Sequence, residues 1–562
     1  MPAASIPTAR LRLTLYSAAL ALGLLRTLAA RGIGGGDNLS YLDIATFYAR
    51  GDFARAVNAF WSPLYSWILA LALRLGPGTP EWDFATQTLA TATLYLLALV
   101  SFFYFWRSFA EWRAARSATP GLTSLPEVAW LLLGFDLFLW SSLELNRLGI
   151  ENPDLLLSCF VFLAAGLLLR ICAGQARTYA ALGVVLGLGY LAKTAMFPLA
   201  LVLLGVAAVA SPAPRTWRRT LLAVLCFLAV ALPWVAIIST HTGKLTLGES
   251  GRLNYSFHVN RVPFTHWQGR PDTGAPQHVS RRIYEHPDVY EFADAPGITY
   301  PVWFDPARWN RGLAPRFDLG DQLRALGFNA WLYLLLFASR LDLMMVWLML
   351  LAIGARRGLA RRLRELWFLW LPALAALSMY GIVHVERRYV AAFLVLFWTA
   401  AFSALRFPVE SPLRRLQVMG VVALLVASGL QFLARMPEDL RRIRQRPEGV
   451  YLQAAAELQR LGARPGDRIA IFGDALWNSS AARLARVQVA VEMPTDQLDA
   501  YGSASPEERT QIRERLAAAG VGYVIAECGD DCSLSCTRFP NTSTRSIQGP
   551  RTLAVCRLSD LP

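Results

Sequence analysis

The stretch TLLAVLCFLAVALPWVAII, residues 220–238, decides the fold class of this chain. It holds no charged side chain over 19 residues. A helix of that length is about 28 Å long, close to the thickness of the hydrocarbon core of a bilayer. Similar runs occur at 84–106 and 417–434. Because a segment in lipid must satisfy its backbone hydrogen bonds internally, these runs predict membrane-spanning helices.

Composition extends this interpretation to the whole chain. Of its 562 residues, 55% are apolar and 17% are charged, which is more apolar and less charged than a soluble globular protein usually is. The first apolar segment could pass for a signal peptide, but no small-residue cleavage motif follows it, so we expect a retained anchor.

The predicted fold is an α-helical polytopic membrane protein with about eleven transmembrane helices and a small extracytoplasmic α/β C-terminal domain. The predicted spans are 12–30, 84–106, 126–143, 154–170, 178–193, 197–210, 220–239, 328–354, 366–382, 389–405 and 417–434.

The placement of the arginines predicts the orientation. A net charge of +15 would suit nucleic acid binding in a soluble protein. Here the arginines cluster in alternate connections between spans, as the positive-inside rule predicts for cytoplasmic loops, so we expect no nucleic acid partner. The N-terminus is then cytoplasmic, and the apolar part of 63–76, too short to cross, is interfacial or re-entrant. The arginine clusters lie at 107–116, 215–219, 356–364 and 406–415.

The chain is expected to divide into a membrane domain, 1–435, with outer loops 31–83 and 241–325, and an extracytoplasmic α/β domain, 436–562. The tail alternates apolar strands with helical segments. It has no glycine-rich phosphate loop, so we assign it no nucleotide. Its predicted strands are 468–474, 487–493 and 522–527, with helices after Ala475 and at 506–519.

Four of the seven cysteines lie in the tail: Cys528, Cys532, Cys536 and Cys556. An even number of cysteines outside the cytoplasm predicts two disulfides, and three pairings are open. A zinc site is the alternative, although the spacing lacks the usual C-x-x-C pairs.

The first outer loop opens with GGGDNLSYLDIA, residues 34–45, and should form two helices broken at Gly51 and Asp52. Asp37, at the head of the first helix, has two interpretations. It caps the helix by accepting free amide hydrogens, or it is a general base held at the membrane surface by those amides. Asp43 is a weaker candidate of the same kind, and Asp52 is the better cap for the second helix.

Other charged residues are predicted at the outer ends of spans. Glu144 and Asp154 flank the second outer turn, where a carboxylate is costly unless it is hydrated or paired. Lys193 either snorkels to the interface or binds a ligand. In HVERRY, residues 384–389, two adjacent arginines oppose the positive-inside bias, which indicates an anion such as a lipid phosphate. Ordinary headgroup contact is the alternative.

The long loop 241–325 carries twelve aromatic residues and five of the six histidines. Aromatic faces beside carboxylates suit sugars, although a loop of this length also needs an aromatic core. The histidines show no regular ligand spacing, so no metal ligand is assigned. The residues expected to contact substrate are Tyr41, Tyr65, Trp267 and Trp303.

Taken in order, four motifs resemble the GT-C superfamily of multi-span glycosyltransferases, which includes protein O-mannosyltransferases and the lipid A aminoarabinose transferase. They are Asp37 followed by SYLDIA, WSPLY at 61–65, GYLAKTAMFP at 189–198, and HVERRY. The resemblance covers about residues 1–435. It departs from the common Asp-Glu pair, because Asn38 follows Asp37.

The resemblance implies an inverting transfer from a polyprenyl-phosphate sugar to an acceptor hydroxyl on the extracytoplasmic face of a bacterial inner membrane. By similarity Asp37 is the catalytic base, and Asp154 or Glu151 is the acidic group of the second loop. The donor phosphate would be bound by Lys193, His384, Arg387 and Arg388.

Several points stay open at this level. No cofactor is assigned, and a divalent metal remains an alternative. The acceptor is a lipid, a glycan or a protein. The rival functions are a non-catalytic polyprenyl-lipid binder or transporter, which should show internal repeats and ionisable groups deep in its spans, and a structural membrane component.

Overall fold

The computed structural model describes most of the chain, and it is predominantly helical. The described residues are 8–31, 35–115, 121–149, 152–175, 177–211, 216–278, 280–292, 297–356, 358–408, 414–445, 448–528, 536–541 and 551–561. Their contacts divide the chain into two compact units. The first comprises Met1–Leu28, Thr91–Val259 and Phe317–Leu440, and the second comprises Ala29–Ala90, Asn260–Arg316 and Arg441–Pro562.

The helices, in chain order, are α1 Thr8–Ala29, α2 Asp37–Arg50, α3 Phe53–Ala56, α4 Pro63–Leu75, α5 Pro80–Ala114, α6 Glu127–Leu139, α7 Asn152–Cys172, α8 Thr178–Ala192, α9 Met196–Ala210, α10 Thr216–Thr242, α11 Ser250–His258, α12 Pro301–Phe304, α13 Pro306–Trp309, α14 Leu319–Ala338, α15 Leu341–Ile353, α16 Leu359–Glu365, α17 Trp367–Val383, α18 Arg387–Ser403, α19 Arg414–Gln445, α20 Glu448–Arg460, α21 Ala475–Asn478, α22 Ser480–Ala485, α23 Leu498–Ser503 and α24 Pro506–Ala518. The strands are β1 Leu122–Thr123, β2 Ser280–Tyr284, β3 Val289–Phe292, β4 Phe407–Pro408, β5 Arg468–Phe472, β6 Gln488–Met493, β7 Val521–Cys528, β8 Thr537–Asn541 and β9 Arg551–Arg557.

The protein is a multi-pass membrane protein of the predicted class. Among the described residues, six helical stretches are long and apolar enough to cross a membrane, or eight if two bent helix pairs each count as one span. Three further predicted spans correspond to α8, α9 and α18, which have 15, 15 and 17 residues. The total of eleven therefore stays a prediction. The run at 63–76 forms the short helix α4, of 13 residues.

One predicted span is broken. The run 328–354 is not a single helix, because α14 and α15 meet at a bend of 71°. Arg340 lies at the break, and its guanidinium is 2.7 Å from Asp136 Oδ2 and 2.9 Å from Asp342 Oδ1. A buried guanidinium needs carboxylate partners, and the bend places Arg340 where it has two.

The second unit is built on a seven-stranded sheet in the order β2-β3-β6-β5-β7-β9-β8. Strands β5, β6 and β7 are parallel, and they match the three strands predicted in the tail. Strands β2 and β3 come from the long loop 241–325, and β3 pairs antiparallel with β6. The sheet of the predicted α/β tail is therefore completed by a loop that was predicted without strands.

The tail cysteines form disulfides rather than a zinc site at the described positions. Cys536 is bonded to Cys556 of β9. Cys528, at the end of β7, is also disulfide-bonded. Cys532 lies outside the described residues, so the full pairing remains a prediction.

Candidate functional site

Two clusters of predicted site residues stand out, one in each unit. The first surrounds Asp37 in the second unit. Helix α2 begins at Asp37, and the residue at the cap position is Gly36, which has no side chain with which to cap the helix. Asp37 therefore lies in the first turn of α2, one residue after the cap position, and the helix dipole favours a carboxylate there. Asp52 does cap α3, by accepting the Arg55 amide hydrogen at 3.3 Å.

The glycines before Asp37 are required by a close approach to α21. The amide of Gly36 donates to the carbonyl of Leu476 at 2.6 Å. Gly35 has a φ of 92°, and a Cβ at this position would lie 2.6 Å from the carbonyl oxygen of Trp477. A residue with a side chain would be strained in this conformation and would clash with that backbone. The glycine run thus fixes the backbone that enters α2.

Trp303 orients the Asp37 carboxylate. The indole Nε1–H of Trp303 donates to Asp37 Oδ1 at 3.0 Å. The Trp303 carbonyl in turn accepts from Ser40 Oγ at 2.8 Å and from Trp61 Nε1 at 3.1 Å. Asp37 is only partly buried, so its carboxylate is both oriented and accessible.

All four aromatic candidates are buried, and Trp303 itself is 7% exposed. Tyr65 is fully buried and packs edge-on against Tyr41, which is 6% exposed. Trp267 is 3% exposed. Their burial is typical of the aromatic core that a long loop needs, and it leaves little surface for a sugar. Trp303 belongs to the candidate site through its hydrogen bond to Asp37.

Asp43 belongs to the interior of the second unit. It accepts from the amide and hydroxyl of Thr299 and from Arg483, which also pairs with Asp83. Burial raises the pKa of Asp43 despite the nearby charge of Arg483. At 1% exposure it has no access to an acceptor, so its contacts are those of a packing residue.

The second cluster lies in the first unit, where α7, α8 and α18 bring together residues far apart in sequence. Asp154, in the first turn of α7, forms ion pairs with Lys193, just after α8, and with Arg388, in the first turn of α18. The Arg388 Nε lies 3.4 Å from Asp154 Oδ2. The Lys193 ammonium also sits 3.6 Å from the ring centre of Tyr389. Two cations are therefore held side by side by one buried carboxylate.

The cluster retains an excess of positive charge. Arg387 precedes Arg388 at the start of α18, and its side chain is exposed. Backbone amides at a helix N-terminus and guanidinium groups both favour anions, and guanidinium matches phosphate oxygens in geometry. The arrangement is thus suited to a phosphate group.

His384 and Glu386 lie beside this cluster, between α17 and α18. His384 Nε2 is 3.3 Å from Glu386 Oε1. Burial alone would raise the pKa of Glu386, but the His384 hydrogen bond and the charge of Arg388 lower it to about 2. Glu386 is therefore a carboxylate under all physiological conditions.

Of the remaining acidic candidates, Glu144 is described, and its ion pairs are with other residues. Glu144 forms ion pairs with Arg435 and, at 3.9 Å, with Arg26. Glu151 lies outside the described residues. Among the residues that the structure describes, no group of three or more His, Cys, Asp or Glu side chains is arranged to hold a metal ion.

Sequence reasoning missed two aromatic residues that lie beside these charged groups, Tyr389 and His258. Tyr389 ends the HVERRY motif. Because two arginines precede it in the motif, a contact between its aromatic ring and cations could have been predicted from the sequence. His258 ends α11 and stacks on His384, with ring centroids 3.6 Å apart. No spacing rule connects two histidines so far apart in the chain, and only the fold shows the contact.

Known structures share this fold along the whole chain. ArnT from Cupriavidus metallidurans in the apo state aligns with a TM-score of 0.52 at 14% identity, covering 99% of both chains. ArnT from the same organism bound to undecaprenyl phosphate aligns with a TM-score of 0.51 at 14% identity, covering 97% of both chains. No protein-family model matches the sequence, and no curated protein matches it significantly. Over its whole length the chain thus has the fold of ArnT, which is the GT-C fold that its sequence resembles.

Proposed function

We propose that the protein is a membrane glycosyltransferase of the GT-C type. It transfers a sugar from a polyprenyl-phosphate donor to an acceptor hydroxyl on the extracytoplasmic face, with inversion. The observation that carries this proposal is the basic cluster of Lys193, Arg387 and Arg388, at the predicted outer ends of membrane helices. The fold supports it, because a protein of the same fold has been crystallised with undecaprenyl phosphate.

The basic cluster would bind the donor phosphate. Lys193 and Arg388 are fixed by Asp154, so little side-chain entropy is lost when they meet an anion. As the bond between sugar and phosphate breaks, negative charge grows on the phosphate oxygens, and preorganised cations stabilise it. Asp154 therefore acts in this proposal by positioning the cations, and the role predicted for Glu151, which lies outside the described residues, stays a prediction.

Asp37 would be the general base. It accepts the proton of the acceptor hydroxyl while that oxygen attacks the anomeric carbon. Trp303 supports this role because its indole holds one carboxylate oxygen with an uncharged hydrogen bond donor. The metal requirement, the sugar and the acceptor class are not assigned.

The orientation follows the same proposal. A cytoplasmic N-terminus places the basic cluster and the tail outside the bacterial inner membrane, where a lipid-linked sugar replaces nucleotide sugars as donor. The arginine clusters between spans support this placement.

The test compares lipids that co-purify with wild-type protein and with Asp37→Asn. Asparagine keeps the shape and can still accept the Trp303 hydrogen bond, so folding and donor binding should persist. Transfer should fall by about 10³-fold or more, within the range expected for loss of a general base and its orientation. Mass spectrometry should show a polyprenyl-phosphate sugar enriched in the variant.

The matched control is Asp52→Asn, in the same loop, which keeps the cap of α3 because asparagine also accepts the Arg55 amide hydrogen, and it should leave transfer nearly unchanged. Normal transfer by Asp37→Asn would remove the base assignment. A polyprenyl-phosphate lipid bound to both forms, with no transfer by wild type to any hydroxyl acceptor, would favour the non-catalytic binder or transporter.

A further inference from the structure

Three helices of the first unit enclose an apolar groove. Its walls come from α1, α6 and α19, and the side chains that face it are apolar along most of its length, among them Leu22, Leu139 and Leu425. The cavity has a volume of about 200 Å³. An apolar cavity of about 150 Å³ is large enough to bind benzene, so this groove has room for part of a hydrocarbon chain.

The groove is about as long as one leaflet of a bilayer is thick. Its lining on α19 runs from Leu425 to Asp439, which is roughly 21 Å of helix at 1.5 Å per residue. A hydrocarbon core of about 30 Å gives each leaflet about 15 Å, with the headgroups beyond it. One end of the groove reaches Asp136 and Ser428, which are hydrogen-bonded to each other. The other end opens beside Arg26, in the last turn of α1.

The mouth of the groove, formed by Arg26, Glu144, Arg435 and Asp439, carries charges of both signs. Arg26 Nε lies 2.9 Å from Asp439 Oδ2, and Arg435 pairs with Glu144. The exposed Glu438 adds a negative charge near Arg435. The mouth therefore lacks the surplus of positive charge that the basic cluster presents to an anion.

Two buried polar atoms at the mouth have no hydrogen-bond partner among the described residues. They are Arg26 Nη2 and Glu144 Oε1. They lie 3.9 Å apart, which is too far for a hydrogen bond between them. A buried donor or acceptor that is left unpaired costs free energy. A ligand that accepts from Arg26 and donates to Glu144 would remove both costs.

We propose that the groove binds one phospholipid whose headgroup carries both a phosphate and a primary ammonium group, as in phosphatidylethanolamine. One acyl chain fills the groove, the phosphate accepts from Arg26, and the ammonium donates to Glu144. Guanidinium matches phosphate oxygens in geometry, and an ammonium forms a charge-assisted hydrogen bond with a carboxylate. A headgroup with a phosphate alone would leave Glu144 unpaired. The site is separate from the proposed transfer reaction and does not rest on it.

The bound lipid compensates for the sparse protein packing of α1. Only 17% of the apolar stretch of α1 is buried within the protein, against 83% of the corresponding stretch of α7. Packing is what holds helices together in a membrane, and α1 obtains little of it from its neighbours. An acyl chain in the groove contacts α1, α6 and α19 together.

The experiment measures lipid binding to the full-length protein by native mass spectrometry, after purification in detergent and removal of co-purified lipid. Dioleoylphosphatidylethanolamine should bind as one molecule per protein. Dioleoylphosphatidylglycerol, which carries no ammonium, should bind about tenfold less tightly, since a hydrogen bond to a charged group is worth at least that factor. Dioleoylphosphatidylcholine, whose ammonium has no N–H, should also bind less tightly.

The location of the site is tested by filling the groove. Gly429 of α19 lines it, and a Cβ there would meet nothing within 4 Å. Gly429→Leu should abolish binding of phosphatidylethanolamine, while folding persists because leucine is a better helix former than glycine. The matched control is Gly205→Leu in α9, where a Cβ also meets nothing within 4 Å and the groove is not lined. It should bind the lipid as wild type does.

The choice of headgroup is tested with Glu144→Gln. This change removes a negative charge and leaves Arg435 without its carboxylate partner, so the mouth becomes more positive. The preference for phosphatidylethanolamine over phosphatidylglycerol should disappear or reverse. The same preference in this variant as in wild type would overturn the pairing of the ammonium with Glu144.

Three further outcomes would overturn the proposal. Binding of phosphatidylethanolamine by Gly429→Leu at wild-type affinity would mean that the lipid lies elsewhere. Equal affinities of wild type for the three phospholipids would remove the selection of a primary ammonium. Displacement of phosphatidylethanolamine by an equal amount of undecaprenyl phosphate would show that the groove holds a polyprenyl chain instead.

Discussion

A carboxylate that serves as a base has to be oriented without being neutralised. Trp303 meets this requirement, because an indole donates one hydrogen bond and carries no charge. Asp154 is the opposite case, a buried carboxylate whose two oxygens face two cations. These contacts distinguish two aspartates that the sequence alone presents as similar candidates.

At the residue scale, Trp303→Phe should lower the transfer rate by about 10- to 100-fold, because it removes one hydrogen bond to a charged group worth about 1.5–3 kcal/mol. The ring and its packing against Trp61 remain, so folding should be unaffected. Steady-state kinetics with saturating donor provide the measurement. Trp61→Phe is the control, since that indole donates to the Trp303 carbonyl and not to Asp37. Equal losses in the two variants would contradict a specific role for the Trp303 hydrogen bond.

At the scale of elements, α8 and α10 owe their close packing to two glycines of α8. A Cβ on Gly183 would lie 2.1 Å from the carbonyl of Ala223, and one on Gly187 would lie 2.6 Å from Val230 Cβ. Small residues let helix backbones approach in a membrane, where packing rather than the hydrophobic effect holds helices together. Lys193 follows α8 directly, so this packing also places one cation of the basic cluster.

Gly183→Ala should therefore destabilise the protein by about 1–3 kcal/mol, the usual cost of overpacking a tight contact. The matched control is Gly205→Ala in α9, where an added Cβ meets nothing within 4 Å and alanine is the better helix former. Thermal unfolding midpoints in detergent would show the difference. Equal midpoints would mean that α8 and α10 can separate at little cost.

The sheet of the second unit carries a second prediction at this scale. Burial, followed by the charges of Glu492 and Glu527, raises the pKa of Asp474 to about 6. The folded protein then binds this proton more tightly than the unfolded chain, so stability is greatest below the unfolded pKa of about 4 and falls as pH rises through about 6. The free energy of unfolding should fall by about 2 kcal/mol over this pH range. Asp474→Asn should abolish this part of the pH dependence. Hydrogen exchange of the β5 amides between about pH 4 and about pH 7 measures it, and an unchanged slope in the variant would refute the assignment.

At the scale of the whole molecule, the parts that sequence predicts well are those set by local composition. Long apolar runs give α5, α7 and α10, and alternating patterns give β5, β6 and β7. The bend at Arg340 was missed because it depends on Asp136, a partner from another helix. Strands β2 and β3 pair with each other, and they were missed because β3 also pairs with β6, which lies in the tail.

The candidate site shows the same division. Motifs marked Asp37, Lys193 and the arginines at 387–388 from their chemistry and order alone. The pairing of Asp154 with two cations, the indole on Asp37 and the stacking of His258 on His384 depend on distant contacts, which no local pattern encodes.

The pairing of β3 with β6 has a consequence for biosynthesis. At about 5–20 residues per second, β3 emerges from the ribosome roughly 10–40 s before β6, about 200 residues later in the chain. During that interval the edge of β3 has no neighbour to receive its hydrogen bonds, and several membrane helices must be inserted before one arrives. An unpaired edge is open to wrong association, so the nascent chain has a window in which a chaperone outside the membrane would be of most use. The sheet of the second unit can therefore be completed only after the tail of the chain has been made.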